Sequence, residues 1–179
     1  LNTHYVYNCT SCSLKTTIPQ TISHATSVVY NEEIHLLGGY NNDYYLNTHY
    51  VYNGTSWSLK TTLPQKISHA TSVVYNEEIH LLGGYDGSSA VNTHYIYDGT
   101  SWSLKTTLPT VIEDATSVVY NNEIHLLGGY NGSSAVNTHY IYDGTSWSLK
   151  TTLSQNIRRA TSVVYNNEIH LLGGHDNTY

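Results

Sequence analysis

Phenylalanine and methionine are absent from the 179 residues, and lysine plus arginine number only 7. Against 13 aspartates and glutamates they leave a formal net charge of −6. No stripe of basic residues exists to neutralise phosphates, so a nucleic-acid partner is not expected. Long apolar runs are missing too. Val28-Val29-Tyr30 and Ile34 to Leu37 are typical of those present, far short of the roughly 20 residues that carry a helix across a bilayer. No membrane partner is expected either. Cys9 and Cys12 are the only cysteines, too few for a disulfide framework. Without methionine, Leu1 is expected to be a processed end or the edge of a longer chain. The low charge does not imply disorder, because 39% of the residues are apolar or aromatic and their pattern is regular.

That regularity is a repeat. The tetrapeptide Asn-Thr-His-Tyr begins at Asn2, Asn47, Asn92 and Asn137, a period of 45. The chain divides into repeats 1–45, 46–90, 91–135 and 136–179, forming one domain or a fragment of one. In the second repeat, alternation and β-branched or aromatic enrichment predict strands over Thr48–Tyr52, Trp57–Thr62, Ala70–Tyr75 and Glu78–Leu82. Turn dipeptides separate them: Asn53-Gly54, Leu63-Pro64, Asn76-Glu77 and Gly83-Gly84. No window shows the 3.6-residue period of a helix. Four strands per 45 residues, repeated, is the spacing of a β-propeller blade.

Each repeat also has a short apolar run ending in a glycine doublet, then a tyrosine and a tryptophan. Examples are Ile79-His80-Leu81-Leu82-Gly83-Gly84, Tyr97 and Trp102. The doublets recur at Gly38-Gly39, Gly128-Gly129 and Gly173-Gly174, and the tryptophans at Trp57 and Trp147. This pattern resembles the kelch repeat over essentially the whole chain. Two departures are that Cys12 stands where the first tryptophan should be, and that the arginine of many kelch blades is not regular, with Arg158 and Arg159 nearby only in the last repeat. The wording around Ser-Val-Val-Tyr-Asn-Asn-Glu-Ile-His-Leu-Leu-Gly-Gly is also similar to kelch-type repeats of bacteriophage tail and bacterial surface proteins.

The resemblance implies an all-β, kelch-type propeller of four four-stranded units. Ala70–Tyr75 becomes an innermost strand and Trp57–Thr62 an outermost one. The chain then starts with an orphan outer pair, His4–Tyr7 and Cys12–Thr17, and ends with an orphan inner pair, Ala160–Tyr165 and Glu168–Leu172. Joining the two pairs would close a ring, within one chain or between chains of a homo-oligomer.

Divergence between the copies points to a binding face. From Val91 onward, the last two repeats differ only at 109–114 against 154–159 and at 130–134 against 175–179. In an antiparallel meander these two loops leave the same edge of the sheet, while the other two turns lie opposite. One face varies over a constant scaffold, as expected of a binding surface built on loops. Its candidate residues are Asn42, Asp43, Tyr44, Tyr45, Asp86, His175 and Tyr179 from one loop set, and His24, Lys66, His69, Glu113, Asp114, Arg158 and Arg159 from the other. Tyrosine with short polar groups suits sugars or protein loops.

The chain has 11 histidines, and eight recur at two repeat positions: His4, His49, His94 and His139, and His35, His80, His125 and His170. Between apolar neighbours in strands, they read as structural groups bonded across strands rather than as a metal ring, and acid below about pH 6 should destabilise the fold. Cys9 and Cys12 lie in a hairpin turn, with a local disulfide as one candidate state; one C-x-x-C pair is too little for a zinc site. No G-x-S-x-G, P-loop or dinucleotide fingerprint occurs. Some kelch propellers are enzymes, such as copper radical oxidases and sugar mutarotases, but the oxidases need a Tyr, Cys and His constellation and both cysteines here are peripheral. No enzymatic activity and no cofactor are expected. The expected role is recognition of a surface glycan or protein, outside the cell or on a virion. An intracellular interaction scaffold and a repetitive structural spacer are the alternatives.

Overall fold

The computed structural model describes residues 1–176. Sixteen strands follow one another with no helix among the described residues. They form three four-stranded antiparallel meanders and two terminal two-stranded pieces. The N-terminal piece is β1 (Tyr5–Tyr7) with β2 (Cys12–Leu14). The first full sheet is β3 (Thr26–Tyr30), β4 (Glu33–Leu37), β5 (His49–Tyr52) and β6 (Trp57–Leu59). The second is β7 (Thr71–Tyr75), β8 (Glu78–Leu82), β9 (His94–Tyr97) and β10 (Trp102–Leu104). The third is β11 (Thr116–Tyr120), β12 (Glu123–Leu127), β13 (His139–Tyr142) and β14 (Trp147–Leu149). The C-terminal piece is β15 (Thr161–Tyr165) with β16 (Glu168–Leu172).

The strand order within each unit is the one expected. Two details differ. The outermost strands are shorter: the pairing stops at Leu59, not Thr62, and beyond it isolated N–H groups reach back, Lys60 to His49 O at 2.8 Å and Leu63 to Asn47 O at 2.9 Å, as the chain leaves towards the next sheet. Nor does the chain close on itself: β1–β2 and β15–β16 remain separate sheets. Closure within one chain is therefore corrected. Each inner pair needs an outer pair beside it, and the two ends of this arc do not meet.

Local chemistry explains the hairpins. The turns after β3, β7, β11 and β15 place two residues each at positive φ, such as Asn76 (49°) and Glu77 (62°), the geometry that matches strand twist in a two-residue hairpin. The outer turns are capped by side chains. Asp98 Oδ1 accepts the Thr100 and Ser101 N–H groups, both at 2.8 Å, and Asn53 and Asp143 repeat the arrangement.

The core lies between successive sheets. One cluster joins Tyr30, Leu37, Ile67, Ile79 and Tyr97; the next joins Tyr75, Leu82, Ile112, Ile124 and Tyr142. The glycine doublets decide how closely the sheets approach. Gly84 N–H donates to Ile112 O at 2.7 Å, and a Cβ built on Gly83 (φ +58) would lie 2.2 Å from that same oxygen. Any side chain there displaces the next sheet, and the left-handed backbone adds strain.

Histidine supplies the second tie. His35 Nδ1 lies 2.8 Å from His49 Nε2, and His80–His94 and His125–His139 repeat the contact at 2.8 Å. Trp147 Nε1–H donates to His94 Nδ1 at 3.3 Å. An indole can only donate, so His94 Nδ1 accepts and its Nε2–H is free to donate to His80 Nδ1. His80 Nε2–H then donates to Tyr75 O at 3.2 Å. The opposite tautomers would keep the His80–His94 contact and gain the 3.2 Å contact from His94 Nδ1 to Thr106 O, but would lose both the Trp147 and the Tyr75 O bonds. The relay thus runs from an outer strand of one sheet to an inner strand of the previous one, and it requires neutral imidazoles.

Burial pushes the pKa of His49 and of His80 down to about 4, and that of His94 to about 3, with the neighbouring imidazole adding to the effect at His49 and His94. These groups take up protons in the unfolded chain near pH 6.5 but not in the folded one, so stability is full above that pH and falls as the solution is acidified towards pH 4. Each of the three should cost about 2 kcal/mol at pH 5. A melting temperature that does not drop between pH 7 and pH 5 contradicts this assignment. Gly83→Ala should destabilise by about 3 kcal/mol or more. Gly132→Ala has open space around its Cβ and should cost only about 1–2 kcal/mol, from backbone strain. Denaturant midpoints of the two variants measure the difference.

Candidate functional site at the variable loop face

The loop entering each inner strand and the loop between the second and third strands meet, as the divergence between repeats predicted. Ser68 and Tyr85 exchange backbone hydrogen bonds at 2.9 and 2.7 Å, and Glu113 with Tyr130 and Arg158 with His175 repeat the bridge. The two variable segments therefore form one surface.

The structure singles out one position within it. His24, His69, Asp114 and Arg159 are 45 residues apart and all left-handed, with φ of 54°, 54°, 55° and 56°. Each stands two residues before an inner strand. Their backbones are linked in series: His69 N–H to His24 O at 3.0 Å, Asp114 N–H to His69 O at 2.9 Å, and Arg159 N–H to Asp114 O at 2.8 Å. One backbone solution thus presents four side chains along an arc at one end of the inner strands. Non-glycine residues rarely adopt this conformation, and here it is held by the neighbouring loop each time.

The side chains on the arc interact. His69 Nδ1 lies 2.7 Å from Asp114 Oδ1, Arg159 Nε donates to Asp114 Oδ2 at 2.9 Å, and Arg158 Nη1 is 3.7 Å from the same oxygen. The His24 ring stacks on His69 with centroids 4.1 Å apart. Burial pushes the Asp114 carboxyl up, but the His69 hydrogen bond and the charges of His69 and Arg159 outweigh it and leave the pKa below the usual carboxylate range. Burial and the Asp114 charge push the neighbouring Glu113 up. Burial, then His69 and Arg159, lower His24. Opposed shifts on adjacent groups mark a place where charge is deliberately arranged.

Beside the arc runs a row of tyrosines. Tyr45 lies 5.0 Å from Tyr40 and 5.4 Å from Tyr85, and the Arg158 guanidinium sits 4.7 Å over the Tyr130 ring. Between the inner strands, Val28, Ser72, Val73, Ser117, Val118 and Val163 help line an open cleft of about 440 Å³. Thr–Ser hydroxyl contacts of 2.7 Å tie those strands together.

The expected site residues separate into groups. His24, His69, Glu113, Asp114, Arg158 and Arg159 converge. Tyr45 joins the tyrosine row and packs on Gly87. Asn42, Asp43 and Tyr44 form an exposed loop tip, with Asn42 at φ 81° and its carbonyl accepting from Tyr40 Oη at 2.6 Å. Asp86 caps its own turn, accepting from Ser88 and Ser89 N–H at 2.7 and 2.9 Å. Lys66 is exposed in its loop. His175 pairs with Arg158 through the backbone. Tyr179 lies outside the described residues. Cys9 and Cys12 are exposed free thiols. The residues missed from sequence are Tyr40, Tyr85 and Tyr130. Tyrosine stands at this position in the first three repeats and gives way to His175 in the last, so the divergent stretch 130–134 contained Tyr130, but the shared ring was not singled out.

No family model matches the chain, and no curated protein matches it. Among solved structures, that of YjhT superposes with a TM-score of 0.88, over 98% of this chain and 69% of that one, at 15% sequence identity. The likeness is one of fold.

Proposed function

We propose that the protein is a kelch-type propeller unit that recognises a surface glycan through its variable loop face, without catalysing a reaction, outside the cell or on a virion. One observation carries the reading: four equivalent positions share one strained backbone conformation, yet bear His24, His69, Asp114 and Arg159. A spacer under no functional demand has no reason to hold polar side chains of three different kinds at four equivalent positions on one arc beside identical strands. The flanking chemistry suits a sugar. Tyrosine rings offer flat faces for stacking, and the Asp114, Arg158 and Arg159 group offers directed hydrogen bonds to hydroxyls or to an acidic substituent. The kelch resemblance and the wording shared with phage tail and bacterial surface repeats support the same direction.

A glycan array probed with the full chain is expected to return a defined set of sugars. The combined Tyr44→Ala, Tyr45→Ala, His69→Ala and Arg158→Ala variant should lose that binding while keeping its far-UV spectrum. Asp114→Asn removes the charge that orders His69 and Arg159, and should weaken binding roughly tenfold. Unchanged affinity in the fourfold variant, or an array with no binder, removes the reading.

A further inference from the structure

The two terminal half-sheets are unfinished in complementary ways. Leu172 is 52% exposed, while its counterparts Leu37, Leu82 and Leu127 are 1%, 1% and 4% exposed. Tyr7 is 72% exposed, against 8%, 2% and 1% for Tyr52, Tyr97 and Tyr142. The backbone tells the same story. Gly39, Gly84 and Gly129 each donate to an isoleucine carbonyl of the following sheet at 2.7 Å, whereas no corresponding bond holds Gly174 among the described residues. A Cβ on Gly128 would lie 2.3 Å from Ile157 O, but one on Gly173 meets nothing within 4 Å. The series of left-handed residues likewise ends with His24 N–H at one end and Arg159 O at the other.

The histidine relay shows what is missing at β1. Trp102 and Trp147 donate to His49 and His94 at 3.3 Å. At the first copy, Trp57 Nε1 and His4 Nδ1 are both buried without a partner. What His4 lacks, compared with its counterparts, is a histidine from a second strand, like His35 on His49. The strand that would supply it has the sequence of β4, β8 and β12, and in this chain the copy of that strand with no third strand beside it is β16.

We propose that β15–β16 of one copy and β1–β2 of a second copy of this chain join into one four-stranded blade, with His170 bonded to His4 across the junction. The intact sheets give the register. Ile34 opposes Tyr52, and Leu37 opposes His49, so Ile169 opposes Tyr7 and Leu172 opposes His4 of the second copy. Ile22 of that copy then seats on Gly173, with its carbonyl accepting from Gly174 N–H. The contact is head-to-tail, so it closes into a ring or extends, according to the curvature of the arc. The inference rests on the propeller reading above but not on the glycan.

Light scattering on the full chain tests it. Mass should rise with concentration in steps of 20.0 kDa. Tyr7→Glu and Leu172→Glu alter side chains exposed in the lone chain, so both should fold, yet each buries a carboxylate in the junction. Either variant alone should stay at the mass of one chain. Mixed, they retain one intact head and one intact tail, and should form a species of two chains that grows no further. A wild-type chain that stays single at high concentration overturns the proposal, as do variants that assemble like the wild type or a mixture that stays single. Such a result leaves sugar binding at the loop face untouched.

Discussion

One contact sets the spacing of the whole molecule: an isoleucine carbonyl from one sheet resting on the glycine doublet of the sheet before it. Ile67, Ile112 and Ile157 make it in turn, each accepting from the second glycine at 2.7 Å. The approach leaves no room for a Cβ on the first glycine. Given that distance, the apolar faces of successive sheets interlock, with Ile79 and Ile124 fully buried. Given that packing, histidines are enclosed deeply enough to need partners, and they find them in one another and in the next tryptophan. The cost of burying polar groups is met by pairing them. The pairing in turn ties the fold to neutral pH.

Main-chain bonding organises the functional face as well. The residue two positions after each isoleucine takes the same left-handed conformation in all four copies, with φ of 54° to 56°, and a main-chain hydrogen bond joins each such residue to the next. That position can therefore change its side chain without changing its backbone. Three copies spend this freedom on a charge-linked group, His69, Asp114 and Arg159, and the first adds a stacked His24. Variation and rigidity are adjacent here because the rigidity comes from main-chain bonds.

Much of this was legible in the sequence. A 45-residue period with strand-like alternation was enough to place the strands within one residue, apart from the outermost ones, which end three residues early, and the loop-topology argument put the variable segments on one face. The limits have physical causes. Strand ends depend on where the chain turns towards the next sheet, which Thr61 and Thr62 do not announce. Ring closure depends on the angle between sheets, a sum of many packings. Asp86 looked like a ligand-binding residue but caps its turn, because an aspartate two residues before a free N–H serves either purpose. Tyr40 and Tyr85 repeat from copy to copy, so divergence did not single out their rings, and Tyr130 was covered only as part of a variable stretch. His69 and Asp114 could be nominated singly from sequence, but their contact spans 45 residues of chain.

Near-identity of the strands has a consequence for folding. β9 and β13 share the sequence His-Tyr-Ile-Tyr, and β8 pairs with the first of them. The edge of β8 would accept the second equally well in side-chain terms. What separates the two choices is loop length, 83–93 against 83–138, a roughly fivefold difference that loop-closure entropy values at only about 1.4 kcal/mol. The polypeptide therefore discriminates between right and wrong neighbours by proximity more than by shape, and strand exchange between blades is the misfolding route this architecture leaves open.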